Sequence, residues 1–255
     1  MVKTSYHTIA ILAYNNHEIT IKNIKHLINL GYRKNILLFD NGSNPSFKDF
    51  CNEFNIRFQR VETNIYVNPA WNIIFNQENC NYLTLLNNDC FILSPLYFEH
   101  ILEDMKKNNI GISSCKTRNV INADKDLNTN NYFKYHKFIH REGQKLKFFS
   151  GARRQGWLMT IDLFKYKKLD FQIPNYVKLW FGDDWIWGQF IMNNKKYGVY
   201  KNKYAIHIKN TTIDSSEEFE ILVKEDIKNI EKYGNWYRNL ASKLHVKSRL
   251  FNKYV

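Results

Sequence analysis

The sequence predicts an α/β domain in which a mostly parallel central sheet is flanked by helices. Short apolar stretches alternate with segments whose apolar residues recur at helical spacing. Turn residues follow the apolar stretches directly, and no Pro- or Gly-rich linker divides the 255 residues. Strands separated by helices imply right-handed crossovers and a parallel sheet. Ligands of such sheets bind beyond the carboxyl ends of the strands.

The first third of the chain carries the clearest alternation. The apolar stretch 8–14 predicts a buried strand, and a helix with apolar residues at helical spacing follows it as far as a cap at Gly31. The next strand, 35–40, ends at the turn signal Asn-Gly-Ser. The alternation continues with a helix at 45–54, a strand at 56–61, a helix at 68–78 and a strand at 82–87.

Polar side chains cluster where these strands end. Asn15 and Asp40 follow the first two strands, and the segment LLNNDCFIL carries Asp89 beyond the fourth. Burying such groups without partners would be unfavourable by several kcal/mol, roughly 2–7 for each group. We therefore expect them to lie at the mouth of a binding site, where the carboxyl ends of parallel strands meet.

The second half is less regular. A helix is predicted at 93–109 with Pro95 in its first turn, and a strand at 110–115. The Asn-rich segment 116–148 lacks periodicity and is predicted to be a long loop with at most a hairpin. Further predicted elements are a strand at 156–164, a helix at 183–193, short strands at 197–200 and 204–208, and a helix at 215–236 that Ser216 caps.

Four segments occur in order: TIAILAYNNHEITIKNIKHL, NILLFDNGS, NIYVNPAWNIIFN and YLTLLNNDCFIL. Together they resemble the amino-terminal half of family 2-type glycosyltransferases with the GT-A fold, strongly over 8–95 and more weakly to about 210. The resemblance implies a single Rossmann-like domain of the nucleotide-diphospho-sugar transferase kind. Residues 1–95 would bind the nucleotide sugar, 96–210 would form the acceptor-binding and catalytic half, and 211–255 would be a C-terminal helix and basic tail.

The implied reaction is the inverting transfer of a hexosyl or pentosyl group from a nucleotide-diphosphate sugar, most readily a UDP-sugar, to an acceptor hydroxyl. Asp89 would ligate Mn2+ or Mg2+, which neutralises the diphosphate, and Asn87 or Asn88 would contact the ribose or the waters of the metal. Asn87 stands where many family members have Asp, which predicts weaker metal binding. The other implied donor-binding residues are Tyr14, Asn15, Asp40, Asn64 and Asn72.

The second half supplies the implied catalytic acids. By the resemblance, Asp184 in GDDWIWGQF is the general base and Asp183 its helper or an acceptor ligand. His207 would be a second metal or diphosphate ligand. The implied acceptor-binding residues are Arg153, Arg154, Trp157 and Trp185.

Each of these residues also has a plainer interpretation. Asp89 could end a strand in a simple turn, and Asp40 could stabilise a β-turn and cap a helix. Asp183 could be an N-cap, with both acids favouring the helix dipole. His207 and Trp185 could be packed core residues.

A strong excess of positive charge bears on the acceptor. The net charge is +13 and the pI about 9.4. Basic and aromatic residues interleave at 132–154, and the tail 242–255 contains basic residues without an acid. This pattern suits hydroxylated DNA bases, since cations meet phosphate and rings stack on bases, or a surface or lipid-linked glycan at an anionic membrane that the tail contacts. A solvated basic surface and a non-catalytic nucleotide-sugar or nucleic-acid binding module are the alternatives.

The cysteines and the apolar stretches indicate the compartment. None of the four cysteines forms a CxxC pair, so we expect reduced thiols. The apolar run near the amino terminus is too short for a signal peptide, and none reaches the ~18 residues of a membrane span. The sequence therefore predicts a cytoplasmic protein, in the host cytoplasm if the chain is viral, with peripheral membrane contact at most.

Overall fold

The structure is a computed structural model that describes residues 5–120, 148–149, 156–169, 172–208 and 217–231. Several predicted features lie outside the described residues. They are Arg153 and Arg154, most of the predicted loop 116–148, the capping Ser216, the end of the last helix and the basic tail.

Helices and strands alternate through most of the described chain. In order they are β1 Ser5–Ala13, α1 His17–Asn29, a 3-10 turn Arg33–Asn35, β2 Ile36–Asn41, α2 Lys48–Glu53, β3 Arg57–Val61, α3 Val67–Gln77, β4 Cys80–Asn87, β5 Cys90–Ile92, α4 Tyr97–Asn108, β6 Ile110–Val120, β7 Phe148–Phe149, β8 Leu158–Asp162, α5 Leu163–Lys168, α6 Gly182–Met192, β9 Lys196–Ile208 and α7 Glu217–Glu231.

The described strands form one sheet in the order β3-β2-β1-β4-β8-β6-β9-β5, with β7 paired to β9. The first four strands in this order are parallel to one another, and β6 and β9 are also parallel. β8 runs antiparallel between β4 and β6, and β5 antiparallel to β9. β5 begins three residues after β4 ends but lies at the far end of the order. The sheet must therefore curl back on itself, so that β5 can pair with β9.

The two faces of the sheet bury separate apolar cores. Ile9 and Ile11 of β1 pack with α1 and α4 on one face, whereas Ala10 between them packs with α3 and α6 on the other. This alternation follows from the two-residue period of a strand. Because both faces are covered by helices, the inner strands are apolar on both sides, as the sequence indicated.

The α/β architecture with a helix-flanked central sheet is confirmed, and three details of the sequence prediction are corrected. The strand predicted at 156–164 ends at Asp162, whose carboxylate caps α5 by accepting the Lys165 N–H at 3.1 Å. The two short late strands are one strand, β9. Pro95 precedes α4, which begins at Tyr97.

Candidate active site

The polar turn after β4 contributes one side chain that binds the neighbouring helix α1. Asn88 is 4% exposed, and its amide donates to the Thr20 hydroxyl of α1 at 3.0 Å. Asn87 ends β4, and Asp89, which is 4% exposed, is the second residue of the turn. The Asn88 amide thus holds α1, and its predicted donor contact stays a prediction.

A buried asparagine of α1 forms hydrogen bonds with the backbone of this turn. Asn23 is fully buried, and its amide donates to the carbonyl oxygens of Asn87 at 3.4 Å, Asn88 at 3.0 Å and Cys90 at 3.0 Å. These bonds satisfy carbonyl groups that a strand break leaves without ladder partners. The carboxylate of Asp89 therefore leaves a turn whose backbone is fixed on both sides.

Asp89 and His207 come together from opposite halves of the chain. β5 pairs with β9 so that Cys90 lies opposite His207, and the Ile208 N–H donates to the Asp89 carbonyl at 3.0 Å. The His207 Nε2 lies 3.4 Å from the Asp89 Oδ1. The imidazole Nδ1 is buried without a hydrogen-bond partner in the described part of the chain.

This pair offers one carboxylate oxygen and one imidazole nitrogen, which suits a partly held divalent cation. Within the described residues, no group of three or more His, Cys, Asp or Glu side chains could enclose a metal. Mg2+ and Mn2+ sites with one or two protein ligands are completed by phosphate oxygens and water. The donor set therefore fits a cation that a diphosphate shares.

Trp157 lies flat against the imidazole of His207. The two rings stack with centroids 4.6 Å apart and planes inclined by 6°. The indole N–H donates to the Thr117 hydroxyl at 2.9 Å, and the Trp157 carbonyl accepts the Asn87 N–H at 3.0 Å. The indole therefore fixes the plane of the imidazole. Its predicted contact with an acceptor stays a prediction.

Asp183 of the predicted acid pair lies against Gly156. A Cβ atom on Gly156 would stand 2.8 Å from the Asp183 Oδ2, so the carboxylate lies directly against the glycine backbone. Gly156 is bonded to Trp157, which stacks on His207. The predicted catalytic roles of Asp183 and Asp184 stay predictions.

The two acids occupy the first turn of α6, where they favour the helix dipole. Asp184 is 9% exposed, whereas Asp183 is half-buried. α6 begins at Gly182, where an added Cβ would lie 1.9 Å from the Asn68 Oδ1. Only glycine allows α6 to start so close to α3.

The loop that leads to the acid pair is held from two sides. From α3, Asn68 donates its amide to the carbonyls of Val177 at 2.9 Å and Trp180 at 2.8 Å. From α7, the carboxylate of Asp226 accepts the backbone N–H groups of Lys178, Leu179 and Trp180, at 2.7, 2.7 and 2.8 Å. Asp226 is 1% exposed. Three backbone donors satisfy this buried charge, so the entry to α6 is rigidly placed.

The predicted donor wall forms at the ends of β1 and β2. The Asn15 N–H donates to the Ser43 hydroxyl, and the Asn15 side chain accepts the Asn44 N–H, both at 2.9 Å. These bonds join the two loops into one wall. Tyr14 beside them is 40% exposed, which leaves its ring accessible to a ligand.

Asp40 is enclosed beneath that wall. It is fully buried and accepts hydrogen bonds from the Ser43 N–H at 2.8 Å, the Ser46 hydroxyl at 3.1 Å and the Arg60 guanidinium. Burial raises the pKa of the carboxyl, but the bonds from Ser43, Arg60 and Phe47 outweigh it and hold the pKa below its usual value. The geometry favours the turn-stabilising interpretation, and a direct donor contact stays a prediction.

The remaining predicted residues bind other parts of the protein. The Asn72 amide exchanges two hydrogen bonds with the backbone of Ile173, at 2.7 and 3.1 Å. Trp185 is 4% exposed, and its indole donates to the Gln172 carbonyl at 3.1 Å. Asn64 accepts the Tyr66 N–H at 2.9 Å. Their ligand contacts stay predictions.

Sequence comparison decides the family. The profile described as Glycosyl transferase family 2 matches residues 8–169.

The chain belongs to glycosyl transferase family 2. A comparison with curated protein sequences gives no match.

Solved GT-A glycosyltransferases share the fold of this family 2 chain. S. aureus TarS 1–349 is 11% identical with a TM-score of 0.58, over 97% of this chain and 77% of that one. GalNAc-T7 with UDP, GalNAc and Mn2+ is 13% identical with a TM-score of 0.62, over 91% and 48%. The mannosyltransferase PcManGT from Pyrobaculum calidifontis, with GDP-Man and Mn2+, is 11% identical with a TM-score of 0.58, over 90% and 65%. The chain thus spans less than two thirds of the latter two.

Three buried polar residues of this family 2 chain were missed by the sequence reasoning: Asn23, Asn68 and Asp226. Asn23 interrupts the apolar stripe of α1, and that interruption was a usable signal. No local pattern marks Asp226, whose partners lie 46 to 48 residues away. No helix in the described part of the chain has the length and apolarity needed to cross a membrane.

Proposed function

We propose that the protein transfers a sugar, with inversion, from a nucleotide-diphosphate sugar to an acceptor hydroxyl. The observation that carries this proposal is a chain of contacts between the two halves of the predicted site. Asp89 and His207 lie 3.4 Å apart, Trp157 stacks on His207, and Asp183 lies against the adjacent Gly156. A cation site near a carboxylate is what sugar transfer from a nucleotide diphosphate requires.

The donor is proposed to be a UDP-sugar. Among the proteins with this fold, TarS is known with UDP-GlcNAc and with UDP, GalNAc-T7 with UDP and Mn2+, and PcManGT with GDP-Man and Mn2+. The exposed Tyr14 ring and the joined loops at Asn15 and Ser43 offer a wall for the nucleoside. The transferred group is proposed to be a hexosyl or a pentosyl group.

Asp89 and His207 would hold Mn2+ or Mg2+ together with the diphosphate. When bound, such a cation neutralises the charge that grows on the leaving diphosphate. Trp157 keeps the imidazole plane fixed toward Asp89, and Asn23 keeps the turn that carries Asp89 in place. One carboxylate at this turn, with Asn87 in place of a second, predicts modest metal affinity.

Asp184 is proposed as the general base. The acceptor oxygen attacks the anomeric carbon as the bond from that carbon to the phosphate oxygen breaks, and the hydroxyl proton passes to the Asp184 carboxylate. Asp184 is 9% exposed in the first turn of α6. Asp183, nearer to Gly156 and more exposed, orients the acceptor hydroxyl.

The acceptor is proposed to be anionic or to lie on an anionic surface. The net charge of +13 supports either a surface or lipid-linked glycan at a membrane or hydroxylated DNA. A base in duplex DNA would have to be flipped out to reach Asp184. The glycan is favoured because it requires no such step.

Donor hydrolysis and transfer provide the test. The full chain is incubated with UDP-, TDP- and GDP-sugars and Mn2+, with and without EDTA, and release of the nucleotide is measured. Turnover of one donor that EDTA abolishes supports the proposal. Donor binding without turnover would instead identify a binding module. Salt-sensitive binding to DNA but not to anionic vesicles would favour the DNA acceptor.

A further inference from the structure

The backbone of Tyr66 adopts a conformation that normally belongs to glycine. Its φ is 68° and its ψ is −179°, immediately before α3. A side chain in this region is strained, and the strain persists only where the surroundings enforce it. Such residues cluster at ligand sites, so the role of the Tyr66 side chain needs an explanation.

The surrounding structure enforces this conformation through two asparagines. The Tyr66 N–H donates to the Asn64 Oδ1 at 2.9 Å, and its carbonyl accepts the Asn41 amide at 3.2 Å. Asn41 and Asn64 are also bonded to each other, at 2.8 Å. The preceding residues press against Gly42, where an added Cβ would lie 2.6 Å from the Thr63 carbonyl carbon. Both polar groups of the strained peptide are therefore fixed.

The ring of Tyr66 is not fully buried in the protein core. It is half-buried, with the Lys178 ammonium 5.4 Å from its centroid. Its hydroxyl makes no hydrogen bond to any described residue. Lys178 belongs to the loop that Asp226 holds through the backbone, so the ring and the ammonium both start from fixed positions. The ammonium lies over the ring as a cation–π contact, so the ring and the ammonium would meet a ligand together.

The position of Tyr66 along the sheet indicates which part of the donor it meets. Asn41 ends β2, and Asp89 follows β4, with β1 between these strands. A diphosphate bound at Asp89 would therefore lie two strand spacings, about 10 Å, from the end of β2. A nucleoside that extended from it along the strand ends would reach Tyr66.

We propose that Tyr66 is a specificity-determining residue whose ring, with Lys178, contacts the nucleoside of the donor. This inference rests on the proposed function. Aromatic side chains that stack on bases stabilise nucleotide complexes, and such a contact would offset the backbone strain of Tyr66.

Three variants of the full chain separate a ligand contact from a structural role. Tyr66→Ala and Tyr66→Gly both remove the ring, but only glycine relieves the positive φ. We expect Tyr66→Gly to unfold several degrees above Tyr66→Ala, about 2–6 °C. Tyr66→Phe keeps the ring and removes only the hydroxyl. Thermal unfolding without ligand gives the stability order.

Calorimetric titration with UDP and GDP in the presence of Mn2+ gives the binding. We expect Tyr66→Ala and Tyr66→Gly to lower the affinity for the preferred nucleotide equally, by about 10-fold or more. The affinity of Tyr66→Phe should stay within about 3-fold of the wild type. If the ring were only structural, binding would follow stability and return in Tyr66→Gly, which overturns the inference. Unchanged binding in both Ala and Gly also overturns it. A wild-type chain that binds neither nucleotide refutes the proposed function and the inference together.

Discussion

The turn after β4 and the loop before α6 each carry a predicted site acid, but they are held in different ways. The turn spans two residues between β4 and β5, and Asn23 of the neighbouring α1 bonds its carbonyls. Backbone bonds from Trp157 and Ile208 fix the turn from the second half of the chain. The loop is held instead by two side chains, Asn68, 109 residues before Val177, and Asp226, 48 residues after Lys178.

This difference has a functional consequence. Replacing a side chain in the donor half should change cation and nucleotide binding, because those ligands meet strand ends fixed by the sheet. Altering α3 or α7 around the loop should change the geometry of proton transfer while leaving nucleotide binding intact. The following substitutions test that separation.

The largest expected effect is the loss of Asp89. Asp89→Ala removes the carboxylate that would share the cation with the diphosphate. We expect binding of UDP that depends on Mn2+ to disappear in calorimetric titration. Asp49→Ala, at an exposed acid of α2, serves as the control and should bind as the wild type does. Retained metal-dependent binding in Asp89→Ala would remove the donor site from this turn.

The second expected effect is confined to chemistry. Asp184→Asn keeps the size of the side chain but cannot accept a proton, so transfer should fall by about 10²-fold or more while nucleotide affinity is kept. Asp183→Asn is measured beside it and should raise the KM for the acceptor more than it lowers kcat. Full transfer by Asp184→Asn would sink the proposed mechanism.

A smaller effect is expected from α7, far from the chemistry. Asp226→Asn weakens three charge-assisted hydrogen bonds to the loop backbone, and displacement of the acids should lower kcat by about 10- to 100-fold. The affinity for UDP and Mn2+ should not change. The exposed neighbour Glu225→Gln is the matched control. Parallel losses of nucleotide binding and kcat in Asp226→Asn would show that the two sides are not separable.

The smallest effect on transfer is expected from His7, which supports β1 beneath the donor half. Burial lowers the pKa of His7 from 6.5 to about 3, and its Nε2 lies 2.9 Å from the Thr84 hydroxyl. Between these values the unfolded chain binds a proton that the native protein does not. The free energy of unfolding therefore falls as the pH drops through this window, by about 2 kcal/mol at pH 5.

His7→Gln removes this titration. Urea unfolding at pH 7.5 and pH 5 should show that the free energy of unfolding decreases less in His7→Gln than in the wild type, while transfer at pH 7.5 per folded molecule is kept. The exposed His100→Gln should show the same decrease as the wild type. An equal decrease in all three proteins would contradict the assignment.

The sequence anticipated the donor half well because its signals are local. Apolar runs of strand length, helical spacing and the Asn-Gly turn each depend on neighbouring residues, and β1 to β4 follow the predicted order. The pairing of Asp89 with His207 was implied by family resemblance, and the antiparallel β5–β9 ladder produces it. Asn88 and Asp89 form the turn between β4 and β5, and the position of α1 decides that the Asn88 amide binds Thr20.

What the sequence by itself determined is the alternation of strands and helices, the family and the residue types at the strand ends. Only the tertiary structure decided that Trp157 lies on the His207 ring, that Asp226 holds the entry to α6, and that Tyr66 carries a glycine-like backbone. The physical reason is that periodicity and turn chemistry act over a few residues. Contacts between side chains 40 or more residues apart depend on how the sheet curls and where each helix packs.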